Sequence, residues 1–294
     1  MTDGALKILI RSRSILRNER ERKQRQLLTD NDLFHETIRS KLSGLAETNQ
    51  FANFSKCGRE RIFRTCRSCG DVHEFAYRCS LKWCPRCQWF ITERRREKLA
   101  VWVKHITQPK HLVLTQKNFP ILTPSKLREH SRNLKKMRRS LCFEKVRGGS
   151  VSIEITNEGN GWHLHSHWLL DVRWLDMAAV SLTWSGLVGQ EFAIVKIKDA
   201  RDHDYLQEVT KYVAEGSELA KWPAEHLLEF VTAIRSRRFF FAFGSLFKMG
   251  HEIRAEILQA KAPSPVCDCG ASDWMFETEE QTVLAEIRKL NRRR

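Results

Sequence analysis

The sequence lacks a long apolar run and an internal repeat. No stretch of the 294 residues approaches the roughly 18 consecutive apolar residues of a membrane-spanning helix, which excludes an integral membrane protein. The opening residues, MTDGALKILIRSRS, interrupt a short apolar stretch with arginine, so we expect no secretory signal and a cytoplasmic protein. An apolar content of 41% nevertheless supplies a core and excludes a fully disordered chain.

Acidic residues are also in short supply. The chain has 35 Asp and Glu against 51 Lys and Arg, which gives a formal net charge of +16 at pH 7. This excess of positive charge favours a polyanionic partner, and we expect that partner to be nucleic acid. The basic helical pattern over residues 125–141 predicts a surface that follows a phosphate backbone. The arginine-rich run near the start fits either a DNA-contacting arm or a solvated, partly disordered helix.

Composition and apolar periodicity divide the chain into four parts. A basic, helical region comes first, and a cysteine-rich module follows it. A longer region then alternates strand and helix patterns, and a polar tail closes the sequence. In order, these parts span residues 1–56, 57–98, 99–260 and 261–294.

The sequence patterns of the third part, residues 99–260, predict a fold with both helices and strands. HLVLT (111–115), SVSIEIT (150–156) and WHLHSHWLL (162–170) have the composition of strands. The turn NEGNG between the last two contains two glycines and predicts a β-hairpin. Residues 202–220 have the periodicity of a single helix. We therefore expect an α+β fold, with a central antiparallel sheet and flanking helices.

Most of the cysteines crowd into one segment. Six of the nine fall between residues 57 and 87, and clustering of this kind in the cytoplasmic protein that we expect favours metal over disulfides. Two C-x2-C pairs, each on a tight turn, can together complete a tetrahedral Zn²⁺ site with a structural role. The predicted ligands are Cys66, Cys69, Cys84 and Cys87.

Other cysteines form less complete patterns. Cys57 and Cys79 lie in the same segment, and either could replace one of the four predicted ligands. Cys267 and Cys269 offer only two ligands with one residue between them. We predict a structural or incidental role for that pair.

Three histidines alternate along one predicted strand. Because successive side chains of a strand point to opposite faces, His163, His165 and His167 share one face about 6–7 Å apart. Neutral imidazoles gathered in this way predict a divalent-metal site. Glu154 lies in the apolar partner strand, where its carboxylate either joins the histidines or faces solvent. Two histidines and a carboxylate with open coordination positions suit Mg²⁺ or Mn²⁺ acting on a phosphodiester.

Tyrosine is scarce, with three in the whole chain. Tyr205 and Tyr212 fall in the predicted helix 202–220, where Glu208 and Tyr212 are four residues apart and share a face. Lys211 is the neighbour of Tyr212 in the sequence. A tyrosine hydroxyl has a pKa of about 10 and attacks only when a polarised phosphate or a nearby cation assists it.

In combination, these motifs resemble the HUH endonucleases, and among them the plasmid rolling-circle replication initiators. The resemblance covers roughly residues 57–250. Four segments carry it: Cys84-Pro-Arg-Cys87, Glu154-Ile-Thr156, Trp162-His-Leu-His-Ser-His167 and Glu208-Val-Thr-Lys-Tyr212.

The resemblance implies a nickase that joins DNA covalently. Tyr212 would attack a scissile phosphate polarised by Mg²⁺ or Mn²⁺, keep the 5′-phosphate and free a 3′-OH that primes synthesis. Glu208 would activate water to end the cycle, and Lys211 would be the accompanying cation. The metal-binding pair would be His165 and His167, with His163 a third candidate. Relatives carry a bulky apolar residue between the two histidines, and here the HLH pair at 163 and 165 fits that rule better.

The resemblance also implies partners and a setting. The substrate would be single-stranded DNA or an extruded origin hairpin, against whose bases Trp162 and Trp168 would stack, unless they belong to the core. A host helicase and polymerase would act next. The setting would be the cytoplasm of a bacterial or archaeal cell that carries a plasmid or another mobile element.

Three other functions fit parts of the pattern. A single-strand DNA transposase of the HUH type would use both Tyr205 and Tyr212, which are seven residues apart. A non-catalytic DNA-binding protein with a zinc module would need neither the tyrosine nor the histidines. A zinc hydrolase with an H-x-H strand would leave the net charge unexplained.

Overall fold

A computed structural model describes most of the chain. The predicted arginine-rich arm lies outside the described residues, as do Lys211 and Tyr212. The structure describes residues 29–45, 48–106, 108–200, 204–210, 213–260 and 266–276.

The described residues form two antiparallel sheets and a set of helices around them. The strands are β1 (Arg61–Cys66), β2 (Val72–Ala76), β3 (Pro109–Thr115), β4 (Gly148–Thr156), β5 (His163–Asp171), β6 (Val195–Asp199), β7 (Phe240–Phe243) and β8 (Trp274–Phe276). The helices are α1 (29–42), α2 (Asn49–Lys56), α3 (Pro85–Val103), α4 (Pro124–Arg138), α5 (Met177–Val188), α6 (Asp204–Val209), α7 (Gly216–Lys221), α8 (Ala224–Ala233), α9 (Gly244–Lys248) and α10 (Gly250–Ala260). Within these ranges, no helix is both long enough and apolar enough to cross a bilayer.

The larger sheet has five strands in the order β6-β3-β5-β4-β7. Its neighbouring strands pair antiparallel, so the expected α+β class with a central antiparallel sheet is confirmed. The β4–β5 hairpin is confirmed as well, and its turn contains Gly159 and Gly161 at φ of 96° and 87°, a region that favours glycine. The histidine strand β5 is the middle strand of the sheet.

The two faces of the larger sheet differ in chemistry. On one face, alternate residues of β3, β4 and β5 are apolar and buried in the main core, together with residues of α4, α5 and α8. On the other face, the same strands carry histidines, serines and Glu154. Leu169 continues that second face into a smaller apolar cluster with Trp102 of α3 and Val209 of α6. The histidines of β5 and Glu154 therefore lie toward one end of this second face.

The predicted basic helix is α4, and it is amphipathic as expected. Leu127, Leu134 and Met137 are buried, because the helix packs against α5 and α8. Its basic residues occupy the outer side, where they are available to a polyanion. The exposed cations of this segment are Lys126, Arg128, Arg132, Lys135, Lys136 and Arg139.

The prediction of one helix over residues 202–220 is wrong. The chain is helical over α6, leaves the helix after Val209, and becomes helical again at Gly216. Between the two helices, the carbonyl oxygen of Val213 accepts a hydrogen bond from the N–H of Ile155 in β4, at 2.7 Å. This contact holds Val213 against the sheet and takes its carbonyl oxygen out of a helical hydrogen-bond ladder.

The cysteine-rich module does not end where the sequence predicts. The expected boundary after residue 98 falls inside α3, which runs without interruption to Val103. The smaller sheet has the order β2-β1-β8, so part of the predicted tail joins the module. Cys66 of β1 is the register partner of Trp274 in β8.

Candidate functional site

One carboxylate and two imidazoles converge on the polar face of the larger sheet. Oε2 of Glu154 lies 2.6 Å from Nε2 of His165 and 3.1 Å from Nε2 of His167. The ligand atoms of all three residues lie within 4.8 Å of one another. Nitrogen and oxygen donors of this kind suit a divalent cation, so the three residues could hold one.

The hairpin register brings these residues together. Glu154 is the direct partner of His165 across β4 and β5, and His167 lies two residues further along the same face. The side chain of Glu154 is 7% exposed, which excludes the alternative in which it faces solvent. A carboxylate that is buried in a sheet needs a cation or hydrogen-bond donors, and the two histidines supply the contacts.

The structure separates the third histidine from this group. Nδ1 of His163 contacts Oδ1 of Asn118 at 2.7 Å, and His163 does not belong to the ligand cluster. Ser166 is fully buried on the opposite face, where its hydroxyl accepts a hydrogen bond from Nε1 of Trp168 at 2.9 Å. The residue between His165 and His167 is therefore a hydrogen-bond partner of a buried indole N–H.

His111 belongs to the site and was missed by the sequence reasoning. It lies on β3, next to β5, and its Nε2 is 3.2 Å from Nδ1 of His167. The two rings are nearly parallel, with their centroids 5.5 Å apart. Because Nε2 of His167 faces Glu154, the contact through Nδ1 fixes the orientation of this imidazole. The only signal in the sequence is the histidine that opens the strand pattern HLVLT.

An open cleft of about 730 Å³ lies above the ligand group. Lys196 and Lys198 of β6 supply positive charge on one wall, and Glu208 of α6 lines the same cleft. Glu218 also lines it, and burial raises the pKa of this carboxyl, with the negative charge of Glu154 as the next cause. The cleft thus joins a cluster of carboxylates to cations that can hold phosphates.

Burial also changes the titration of two histidines near the cleft. The pKa of His163 is lowered by burial and then by the charge of His165. His130 of α4 is fully buried, and burial followed by the charges of His165 and His163 lowers its pKa to about 3. Its Nδ1 lies 3.2 Å from Oε1 of Gln116, and its ring packs edge-on against Trp184. His130 is therefore neutral in the folded protein at neutral pH.

The predicted nucleophile lies outside the described residues. For Tyr212 and Lys211 the structure gives no position, while Val213, the next residue, contacts β4 beside Glu154. Tyr205 is described, and it packs against the smaller apolar cluster, where burial raises the pKa of its hydroxyl. Among the described residues that line the cleft, Tyr205 is not included.

Two tryptophans proposed for base stacking belong to the core. Trp162 and Trp168 are both 0% exposed, so neither can stack on a base. Large aromatic side chains are exposed elsewhere, where bases could reach them. Among the described residues these are Phe90, Trp174, Phe192 and Phe247.

Four cysteines meet beside the start of α3. Their Sγ–Sγ contacts are 3.5 to 3.7 Å, and all nine cysteines of the chain are free thiols. A Zn–S bond of about 2.3 Å gives a tetrahedron with edges of about 3.8 Å, so the spacing fits a metal such as zinc. The residues are Cys57, Cys79, Cys84 and Cys87.

A second group of four cysteines lies at the other end of β1, so the predicted single site of Cys66, Cys69, Cys84 and Cys87 is wrong. Cys57 and Cys79 flank the open end of the β1–β2 hairpin, whereas Cys66 and Cys69 lie at its turn. The six-residue strand β1 separates those ends by about 17 Å. The turn that carries Cys66 and Cys69 contacts Cys267 and Cys269 of the predicted tail, and not Cys84 and Cys87. The members of this second group are Cys66, Cys69, Cys267 and Cys269.

The chain matches no protein-family model, and neither a curated protein nor a solved structure matches it. Likeness to a known protein therefore assigns it no family. Its function is therefore inferred from the groups of possible metal ligands and from the cleft.

Proposed function

We propose that the chain is an HUH-type endonuclease that nicks one DNA strand at an origin and so initiates rolling-circle replication. The observation that carries the proposal is the group formed by Glu154 on β4 with His165 and His167 on β5, the middle strand of the sheet. It lies at the floor of an open cleft, as an ion that acts on a substrate requires, and is not closed by a fourth protein ligand among the described residues.

The three residues would hold Mg²⁺ or Mn²⁺, which supplies Lewis-acid polarisation of the scissile phosphate. Lys196 and Lys198 would bind neighbouring phosphates of the strand. The hydroxyl oxygen of Tyr212 would form the new bond to phosphorus while the bond from phosphorus to the 3′ oxygen breaks. The 3′ oxygen leaves with a proton as the 3′-OH primer, and Tyr212 keeps the 5′-phosphate.

Glu208 would act at the end of the cycle. Its carboxylate lines the same cleft as the ligand group, which supports a role as the proton acceptor for an attacking water. Water would then replace the tyrosine oxygen on phosphorus. The alternative ending is strand rejoining, in which a free 3′-OH replaces the tyrosine oxygen on phosphorus and Tyr212 regains its proton.

The observations favour this enzyme over a two-tyrosine transposase. A second nucleophile would have to reach the cleft, and Tyr205 instead packs against Leu99, Trp102 and their neighbours. The exposed cations of α4 support DNA, single-stranded or extruded from an origin hairpin, as the partner. A helicase and a polymerase of the host would follow the nick.

A covalent-adduct assay tests the proposal. Full-length protein is mixed with labelled circular single-stranded DNA that contains the cognate origin and with Mn²⁺, and the products are separated in SDS. We expect DNA that migrates with protein for the wild type and for Tyr205→Phe, and none for Tyr212→Phe. Loss in both variants would indicate the transposase. No adduct with the wild type, while DNA binding persists, would leave a non-catalytic DNA-binding protein.

A further inference from the structure

We propose that Cys66, Cys69, Cys267 and Cys269 form a second structural Zn²⁺ site, which fastens the tail of the chain to its front module. This site is separate from the group at the start of α3 and from the candidate active site. It does not depend on the proposed nickase activity.

The spacing of the sulfur atoms fits one metal ion better than it fits disulfides. Sγ of Cys66 lies 3.7 Å from Sγ of Cys269, and Sγ of Cys69 lies 3.6 Å from Sγ of Cys267. All four sulfurs lie within 4.8 Å of one another. Tetrahedral zinc with four thiolates needs sulfur–sulfur edges of about 3.8 Å. A disulfide would need about 2.05 Å within each pair and would give no reason for the pairs to meet.

The two halves of the site have the same local construction. In the first, the N–H of Cys66 donates to the carbonyl of Asp71, and the N–H of Gly70 donates back to Cys66. In the second, the N–H of Cys267 donates to Ala271, and the N–H of Gly270 donates back to Cys267.

Both glycines follow a cysteine directly and have a positive φ, 72° for Gly70 and 86° for Gly270. Each segment is therefore a tight turn that presents two thiols side by side. Two such turns facing each other make a closed set of four ligands.

Neighbouring contacts hold the turns in register. Strand β8 follows the second turn and pairs with β1, and the N–H of Arg67 donates to the carbonyl of Asp273 at 3.0 Å. Nε2 of His73 lies 3.4 Å from Sγ of Cys267, and its ring packs edge-on against Trp274. A histidine beside a ligating sulfur orients it in the manner of an outer-sphere partner.

A second arrangement, with Asp71 and His73 as ligands, would share Cys267. The four-thiol set is complete without them, and four thiolates select zinc or an iron–sulfur cluster over harder ions.

The site would close a very long loop. Cys69 and Cys267 are 198 positions apart, so a shared ion constrains the unfolded chain far more than a local site does. Three residues of β8 make a short strand that contributes few hydrogen bonds of its own. We therefore expect the position of β8 on β1 to depend on the metal.

Metal analysis of the full-length chain tests the site. The background is His165→Ala, so that the candidate active site does not add to the count, and zinc is the metal supplied. We expect two zinc ions per chain, and one when Cys267→Ser and Cys269→Ser are added. The matched control is Cys142→Ser, since Cys142 is a half-buried thiol outside both groups, and it should keep two.

Hydrogen exchange of β8 gives a second measurement. In the Cys267→Ser, Cys269→Ser chain we expect faster exchange at residues 274–276, while β3–β5 keep their protection. One zinc per chain before these substitutions, an unchanged count after them, or absorption of an iron–sulfur cluster near 400 nm would each overturn the proposal.

Discussion

Oε2 of Glu154 lies 2.6 Å from Nε2 of His165, its direct partner across the β4–β5 hairpin. The contact depends on register, because a slip of one residue would turn every side chain of β4 to the opposite face. The turn at Gly159 and Gly161 therefore helps to set the chemistry of the site as well as the shape of the sheet. Substitutions in and around this pair are the most direct tests of it.

Glu154→Gln should abolish metal-dependent nicking while DNA binding persists. The amide keeps the volume of the side chain but removes the negative charge that a cation requires, so we expect a loss larger than the roughly 10–100-fold cost of losing an outer partner. Nicking of a labelled origin strand is measured against Mn²⁺ concentration, with gel shift for binding. The matched control is Glu158→Gln, an exposed carboxylate at the rim of the same cleft. Nicking by Glu154→Gln at the wild-type rate would remove this carboxylate from the site.

His111→Phe should weaken the site without removing a ligand. The ring of His167 would lose the partner at its Nδ1, and we expect nicking to fall about 10–100-fold with a higher Mn²⁺ requirement. His111→Asn, which can still donate or accept a hydrogen bond, should recover part of the activity. A merely structural role predicts instead an equal loss at all Mn²⁺ concentrations and no rescue by Asn.

His130 should make the protein sensitive to acid. The folded state holds its pKa at about 3, below the value of about 6.5 in the unfolded chain. Between pH 3 and pH 6.5, only the unfolded chain binds a proton at His130, so acid favours unfolding in this range. The free energy of unfolding is therefore unaffected by this histidine above about pH 6.5 and decreases below it, by about 1.4 kcal/mol per pH unit.

Urea unfolding at several pH values measures this slope. We expect His130→Gln to have a shallower dependence than the wild type between pH 6 and pH 4. The control is His251→Gln, because His251 is exposed and its imidazole is hydrated in both states. Equal slopes for the wild type and His130→Gln would contradict the prediction.

Two glycine substitutions should act in opposite directions. A Cβ on Gly149 would collide with the backbone carbonyl oxygen of Leu169 on the neighbouring strand, so Gly149→Ala should lower the free energy of unfolding by about 2 kcal/mol or more.

Gly186 lies on the exposed side of α5 with open space around it, and Gly186→Ala should raise the free energy of unfolding by about 0.5–1 kcal/mol. Thermal unfolding of both variants checks the signs. A stable Gly149→Ala protein would mean that β4 and β5 are not so closely paired.

The sequence predicted the parts of the site that are local in the chain. The period of two in a strand placed His165 and His167 on one face, and the glycine-containing turn indicated the hairpin that brings Glu154 to them. It did not predict the break after α6, because the contact between Val213 and Ile155 that ends the helical pattern joins distant segments.

The sequence by itself determined the α+β class, the hairpin and the donor types, since strand periodicity and turn chemistry act over a few residues. Only the tertiary structure decided the strand order that brings His111 beside His167, and the division of the cysteines into two groups. C-x2-C spacing indicates that two thiols can bind one metal ion. Which other two thiols complete the site depends on the tertiary fold. The length of β1 carries Cys66 away from Cys84, and the return of the tail brings Cys267 to it from about 200 residues away.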